Sequence, residues 1–236
     1  MGTRAEKKAQ TRKNIIQAAL TLSTANGFAC LSLREVTRTA GIAPTSFYRH
    51  FKDMEDLGLA LVDEVSLTLR QLMRQARRRV RVRRGVIRTS VESFMEYLEH
   101  NEQHFRLLMG ERLGEQKGFR KEIKKETRRF VEELAEDIIK ESEGSKREII
   151  NPELVAETMI TVTFNIGMEA LEFPAKQRVE FVERMVAQLE MILLGAEAMS
   201  KGWKASGGER LPRLLQDSSG LSQGYLETLE PAVSSH

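Results

Sequence analysis

Five polar side chains close together in the chain have the chemistry needed to contact a nucleic acid. They are Thr45, Ser46, Tyr48, Arg49 and His50. Hydroxyl, guanidinium and imidazole groups hydrogen-bond to base edges and to phosphates, and no acidic residue interrupts the set. The solvated face of any small helical hairpin can have the same composition, so the assignment depends on the elements that present these side chains.

Residues 32–51 have the pattern of two short helices joined by a turn. Ser32, with Glu35 three residues later, fits a capping box at the start of the first helix. Gly41 supplies the backbone freedom that ends this helix, and Pro44 suits the first turn of the second. The apolar positions that we expect to face the core are Leu33, Val36, Ala40, Ile42, Phe47 and Phe51. The pattern therefore predicts a helix-turn-helix whose second helix turns its polar face outward.

This stretch resembles the DNA-binding domain of the tetracycline-repressor (TetR) family. The recognition helix of that family typically ends in Tyr-x-His-Phe followed by a lysine, as Tyr48-Arg49-His50-Phe51-Lys52 does here. The fuller string, Leu-Ser-Leu-Arg-Glu-Val and then Ala-Gly-Ile-Ala-Pro-Thr-Ser-Phe-Tyr-Arg-His-Phe within residues 31–51, is similar to the FabR subgroup, repressors of unsaturated fatty-acid biosynthesis. The likeness is strong over about residues 4–110 and looser beyond them.

The resemblance implies an all-α protein with a three-helix DNA-binding head and a larger helical body. We expect the head at 1–52 and a ligand-binding and dimerisation domain at 53–201, while the Gly-, Ser- and Pro-containing residues 202–236 are predicted to be a disordered tail. The expected phosphate contacts are Tyr48, His50 and Lys52; the expected base contacts are Thr45, Ser46 and Arg49; Arg34 and Arg4 lie at the rim, and Pro44 begins the helix.

The charge distribution agrees with a polyanion-binding head. Residues 1–88 contain 18 Lys and Arg against 7 Asp and Glu, a net +11, whereas residues 89–236 contain 19 against 27, a net −8. The basic residues of 4–13 fit either an arm that reaches phosphates or the minor groove, or a solvated tail. The first helix is predicted to begin at about Glu6 or Thr11 and to end at Asn26, and the fourth to begin at Asp53 and run about 20–25 residues.

From residue 86 onward apolar stripes at helical spacing predict helices throughout. Such stripes usually form a core, but the resemblance raises the possibility of a tunnel for an acyl chain. The candidate ligand-binding residues are Phe94, Leu98, Phe105, Leu108, Met109, Phe130, Met159 and Phe164. The resemblance implies a long-chain acyl thioester of coenzyme A or acyl carrier protein as effector, with no cofactor and no metal.

The arginine-rich residues 74–88 leave three interpretations open. They could contact DNA phosphates, bind the phosphates of coenzyme A or the acidic surface of acyl carrier protein, or form a solvated basic loop. Their position after the fourth helix favours the acyl-carrier side.

The last two predicted helices carry wide apolar faces, which could pack within one chain or pair with a second copy as a four-helix bundle. The stripe of the final helix is Val179, Val182, Met185, Val186, Leu189, Ile192, Leu193 and Ala196. The resemblance implies a homodimer that binds a palindromic operator. A TetR-type regulator of another circuit, such as efflux or stress, with a different hydrophobic effector, is the alternative.

Other function classes find little support in the sequence. It contains no Gly-rich phosphate loop and no nucleophile elbow, and His100 and His104 lack a convincing third metal ligand, so we expect no enzyme and no zinc site. No apolar run is long enough to span a membrane and no signal peptide is evident, which predicts a cytoplasmic protein. Cys30, the single cysteine, is predicted to be a small core residue.

Overall fold

The computed structural model describes residues 3–79, 83–114, 116–145 and 148–205. Every regular element in these ranges is a helix, which confirms the all-α class. The helices are α1 Arg4–Asn26, α2 Leu33–Thr39, α3 Pro44–Phe47, α4 Met54–Arg79, α5 Arg83–His100, α6 Glu102–Glu111, α7 Lys117–Ser145, α8 Pro152–Ala170 and α9 Val179–Ala205, with short 3-10 turns at Phe28–Cys30 and Ala175–Gln177. The predicted tail lies outside the described residues from 206 onward, and α9 continues four residues past its predicted end at 201.

The chain forms two compact units. The first comprises residues 1–128 and 166–182, and the second residues 129–165 and 183–236. The first unit therefore contains α1 to α6 and the beginning of α7. The division at residue 52 between a DNA-binding head and a body stays a prediction.

Helix α1 begins earlier than the sequence pattern indicated. The Thr3 hydroxyl accepts the Glu6 N–H at 3.2 Å, and the Glu6 carboxylate accepts the Thr3 N–H at 2.7 Å, so the two residues form a capping box. Residues 4–13, for which the sequence left a phosphate-binding arm and a solvated tail open, form the first turns of α1, and their contact with DNA stays a prediction. Helix α1 ends at Gly27, whose φ of 77° lies in the region that favours glycine.

The helix-turn-helix has the predicted local structure. Ser32 and Glu35 form the capping box of α2, and Gly41 has φ 68° in the turn. Pro44 is the first residue of α3. This helix is shorter than expected: it ends at Phe47, and the chain continues through turns in which the Ser46 and Phe47 carbonyls accept the N–H groups of residues three positions ahead.

A continuous hydrophobic core joins the helix-turn-helix to α4, α6 and α7. It contains Phe28, Phe47 and Phe51 together with Leu57 and Leu61 of α4, and it extends to Leu107, Leu108, Phe119 and Ile123. The prediction for Cys30 is wrong, because this residue is exposed. In the 3-10 turn that follows α1, Phe28 turns inward and stacks at 4.9 Å on Phe119, which leaves Cys30 on the outside.

Helix α4 buries an apolar stripe whose residues recur at helical spacing. Leu57, Leu61, Val65 and Leu69 are each at most 1% exposed. Asp53 caps the helix, because its carboxylate accepts the Asp56 N–H at 2.8 Å. Helix α4 continues through Arg79 and α5 begins at Arg83, so much of the arginine-rich stretch is helical rather than loop. The side chains of residues 76–84 lie outside the part of the chain that the structure describes. The role of the arginine-rich stretch stays a prediction.

Half of the apolar stripe predicted for α9 is buried within the chain, whereas Val179 at its start is 66% exposed. In the second unit Met185, Val186, Leu189 and Ala196 are buried. A different apolar face remains exposed, with Met191 at 63% and Leu194 at 60%, flanked by Ala187 and Ala198. Pairing of α9 with a second copy of the chain stays a prediction. In the same unit Phe130 and Phe164 pack edge to face at 5.9 Å.

The close approach of α4 and α7 requires glycine at position 58. A Cβ atom placed there would lie 1.8 Å from Cζ of Phe119, a ring that is 1% exposed and cannot move away cheaply. We therefore expect Gly58→Ala to lower the free energy of unfolding by about 1–3 kcal/mol, although alanine favours helix formation. Urea denaturation followed by circular dichroism measures the change.

Gly110→Ala is the matched control, because a Cβ atom at Gly110 of α6 would have nothing within 4 Å. We expect it to be neutral or to stabilise by up to about 1 kcal/mol. Equal effects of the two substitutions would contradict the packing of Phe119 against Gly58.

Candidate nucleic-acid interface

Two phenylalanines fix the orientation of α3. Phe47 is fully buried and Phe51 is 2% exposed, and their ring centroids lie 5.7 Å apart. Both predictions of inward packing are confirmed. With both rings buried, the side chains of Thr45, Tyr48, Arg49 and Lys52 beside them are exposed to solvent.

All the predicted DNA contacts have side chains that solvent reaches, and two of them are half-buried. Tyr48 is 63% exposed, whereas Ser46 and His50 are half-buried. The remaining predicted contacts are all exposed: Arg34, Pro44, Thr45, Arg49 and Lys52. We call the side chains of residues 45–52 that are not buried the α3 surface. The roles assigned to them stay predictions.

Helix α1 adds cations beside the α3 surface. The guanidinium carbon of Arg12 lies 4.2 Å from the centre of the Phe51 ring, so Arg12 packs over the recognition element as a cation–π contact. Lys8, one turn earlier on α1, is close enough with Arg12 and Arg49 to affect the ionisation of His50. Three positive charges therefore surround a half-buried imidazole, an arrangement that attracts phosphate.

The environment of His50 favours its neutral form. Burial of the ring is the largest cause that lowers its pKa from the ordinary value, and the charges of Lys8, Arg12 and Arg49 lower the pKa further. Its Nδ1 atom is enclosed and has no hydrogen-bond partner among the described residues. A phosphate would therefore have to meet the other ring nitrogen, Nε2.

Two carboxylates of the helix-turn-helix region and the start of α4 are engaged with the backbone. The Asp56 carboxylate accepts the Lys52 N–H at 2.9 Å, which fixes the chain just before α4. The Glu35 carboxylate accepts both the N–H and the hydroxyl of Ser32, and these hydrogen bonds lower the pKa of Glu35. Acids close to the surface thus stabilise its backbone.

Sequence reasoning missed Lys8 and Arg12 as individual candidates for this site. They were grouped in a basic segment without a defined conformation. The signal that identifies them is Thr3-Arg4-Ala5-Glu6, a capping-box sequence that starts α1 at residue 4 and places residues 8 and 12 on one helical face.

The eight predicted ligand-binding residues are core residues of the two units. Seven of them are buried, and Met109 is half-buried. In the first unit Phe94 packs edge to face on Phe105 at 5.5 Å and lies against Gly167 with Leu98. Phe130, Met159 and Phe164 belong to the second unit. Their use by a ligand stays a prediction.

Comparison with known proteins agrees with this arrangement. Residues 15–61 match the family model described as bacterial regulatory proteins, tetR family, and residues 83–192 match the tetracyclin repressor-like C-terminal domain. This chain belongs to the TetR family. It is a TetR-type transcriptional regulator, and the two matches together cover most of its length.

Solved structures of transcriptional regulators share the fold at low sequence identity. A TetR-family transcriptional regulator from Syntrophomonas wolfei matches with a TM-score of 0.68 and 14% identity over 79% of this chain and 96% of that chain. A transcriptional regulator from Pseudomonas aeruginosa PAO1 matches with a TM-score of 0.67 and 17% identity, over 80% of this chain and 91% of that chain. FadR from Bacillus subtilis was solved in complex with stearoyl-CoA. It matches with a TM-score of 0.64 and 15% identity, over 77% of this chain and 97% of that chain.

Neither a candidate metal site nor a membrane-spanning helix is present among the described residues. They contain no group of three or more His, Cys, Asp or Glu side chains placed to hold a metal ion. No helix in the same ranges combines the length and the hydropathy that crossing a bilayer requires.

The lowered pKa of His50 predicts pH-dependent DNA binding. A phosphate against the ring would stabilise the imidazolium, so the pKa of His50 is higher in the complex than in the free protein. Binding then takes up a proton between the two pKa values, and affinity rises as the pH falls through that window, by at most about ten-fold per pH unit. Fluorescence anisotropy at constant ionic strength measures this slope for duplex DNA.

His50→Gln should have a flatter pH dependence, while His100→Gln, which changes an exposed histidine on α5, should behave as the wild type. If the His50→Gln protein kept the wild-type slope, His50 would not contact phosphate.

Proposed function

We propose that this chain is a homodimeric repressor of genes for unsaturated fatty-acid biosynthesis, and that long-chain acyl thioesters of coenzyme A or acyl carrier protein control its binding to DNA. The observation that carries the DNA-binding half is the α3 surface, in which an acid-free set of polar side chains is held outward by Phe47 and Phe51. The subgroup assignment is supported by the sequence string of residues 31–51, which is similar to FabR-type repressors.

Each recognition element would lie in the major groove of one half-site. Arg49 is exposed and able to form a bidentate pair with a guanine edge, whereas Thr45 reaches an adjacent base. Tyr48, His50 and Lys52 would bind phosphates on either side, and Lys8 and Arg12 would add positive charge at the N-terminal end of α1. Phosphate contacts set the register, and base contacts set the sequence preference.

A second copy of this chain is the partner that we propose for the exposed face of α9. Ala187, Met191, Leu194 and Ala198 follow one another at spacings of four, three and four, so they form one stripe on the helix. Large apolar side chains that are about 60% exposed, such as Met191 and Leu194, are stabilised by burial against a like surface. Two recognition helices would then lie about one DNA turn apart, ~34 Å, on a palindromic operator.

An acyl thioester effector is supported by two independent lines. FadR from Bacillus subtilis, which shares the fold, was solved with stearoyl-CoA, and the FabR-like sequence string indicates a regulator of fatty-acid synthesis. The effector must bind the DNA-competent and DNA-incompetent conformations with different affinities, since otherwise it shifts no equilibrium. We propose that unsaturated chains favour DNA binding and that saturated chains oppose it.

Substitution of Arg49 tests the role of the α3 surface. We expect Arg49→Ala to relax sequence preference at one base pair of each half-site, with a loss of about 1–3 kcal/mol of discrimination per contact. Lys52→Ala is the control, because loss of a phosphate contact weakens binding to all sequences uniformly. Competition binding with single-base operator variants distinguishes the two patterns. Full selectivity in the Arg49→Ala protein would remove Arg49 from base recognition.

Titration with acyl thioesters tests the proposed effector. Oleoyl- and palmitoyl-coenzyme A, added separately to the protein bound to a fluorescent operator, should shift the apparent affinity in opposite directions. Free coenzyme A and the free fatty acids serve as controls for the head group and for the chain. No change with either thioester, together with a thermal shift produced by another hydrophobic compound, would favour a regulator of efflux or stress instead.

A further inference from the structure

A cavity of about 300 Å³ lies in the first unit, among α1, α4 and α6. Its base is apolar and consists of Ile16, Leu20, Leu61 and Val65, all of them buried. Its remaining walls are polar: Gln10, Lys13, Asn14 and Gln17 of α1, Glu64 of α4 and His104 of α6. None of these residues belongs to the α3 surface or to the predicted ligand-binding set.

Among the described residues, His104 is the one residue of α6 that lines the cavity, and one of its two ring nitrogens has no hydrogen-bond partner. The Nδ1 atom is enclosed and has no hydrogen-bond partner within the part of the chain that the structure describes. When the ring is neutral and its proton is on Nε2, Nδ1 is an acceptor that lacks a hydrogen-bond donor, which is a modest cost. In an imidazolium, Nδ1 carries a proton as well, and a buried N–H without an acceptor is costly.

The surroundings explain why the packed ring resists protonation. Burial lowers the pKa of His104 below its ordinary value. The charged groups that line the same cavity are Lys13 from α1 and Glu64 from α4. On α6 itself, Arg106 lies two positions later, ~200° around the helix, and is held by Glu102 and Glu172 at 2.9 Å each.

We propose that His104 is a pH-sensitive switch at the junction of α1, α4 and α6. The neutral ring packs in the wall of the cavity and supports the contact of α6 with α1. The protonated ring rotates into the cavity, where the Glu64 carboxylate accepts its N–H, and the contact between α1 and α6 loosens.

The direction of the effect follows from the two pKa values. Because the pKa of His104 is lower in the packed state than in an exposed ring, the packed junction is fully stable above about pH 6.5. It loses stability as the pH falls below that value, by at most about ten-fold in the opening equilibrium per pH unit. Since α1 carries Lys8 and Arg12 and packs on the recognition element, loosening it would reduce the preorganisation of the DNA-binding surface. That last consequence rests on the proposed function.

Hydrogen–deuterium exchange of the full chain tests the switch without DNA. Between about pH 7.5 and pH 5.5, after correction for the intrinsic pH dependence of exchange, peptides from residues 10–20 and 102–111 should open about three- to ten-fold more in the wild-type protein. His104→Gln should remove this increase, and His100→Gln should retain it. An increase that persists in the His104→Gln protein, or no increase in the wild type, overturns the proposal.

A second pair of variants protects the test against misfolding at position 104. Glu64 is exposed at the cavity wall, so Glu64→Gln should leave the fold intact and reduce the acid-induced opening, because the imidazolium loses its anionic acceptor. Asp63→Asn, which changes an exposed carboxylate of α4 outside the cavity, should have no effect. Equal responses in these two variants would contradict the rotation towards Glu64. Because no measurement here uses DNA or an acyl thioester, failure of the proposed function leaves the result unaffected.

Discussion

Burial of Phe47 and Phe51 is the interaction on which the DNA-binding surface depends. Helix α3 has only four residues, so it cannot be stable on its own and takes its position from tertiary packing. The two rings enter a core that also contains residues of α4, α6 and α7, and Arg12 covers the outer side of Phe51. The polar side chains face outward because their apolar neighbours are fixed inward.

The same core connects the recognition element to the helices that follow it. Phe119 of α7 packs against both Phe28 and Gly58, and the Glu111 carboxylate at the end of α6 accepts the Phe28 N–H at 3.0 Å. A buried carboxylate that bonds to the backbone eighty-three residues away ties α6 to the turn after α1. A displacement of α6 would therefore change the support of the helix-turn-helix.

The helix-turn-helix could be predicted from sequence because its signals are local. Capping at Ser32, the turn at Gly41 and the proline at 44 each act within a few residues, and the apolar spacing identified Phe47 and Phe51. The predictions that were wrong depended on less local features. In residues 4–13 the basic charge dominated the interpretation, so the capping box at Thr3 was overlooked. Cys30 was assigned to the core by residue type, although the 3-10 turn sets the direction of its side chain.

The body was harder to predict in detail for a related reason. Helix positions and the burial of the apolar stripes followed from periodicity, but periodicity does not say which of two apolar faces meets the chain's own core. In α9 half of the predicted stripe is buried, and a second, shorter stripe through Met191 and Leu194 is exposed. Nor could sequence alone place His104 beside a cavity, since that neighbourhood is formed by α1 and α4, which lie far from α6 in the chain.

Selection of bound duplexes from a random-sequence library by the purified protein tests most directly whether two copies of the α3 surface read DNA together. We expect enrichment of a two-fold symmetric motif whose half-sites are centred about one helical turn of DNA apart. Enrichment of no motif, or of a single unrepeated half-site, would contradict the claim that two copies of the α3 surface read DNA together.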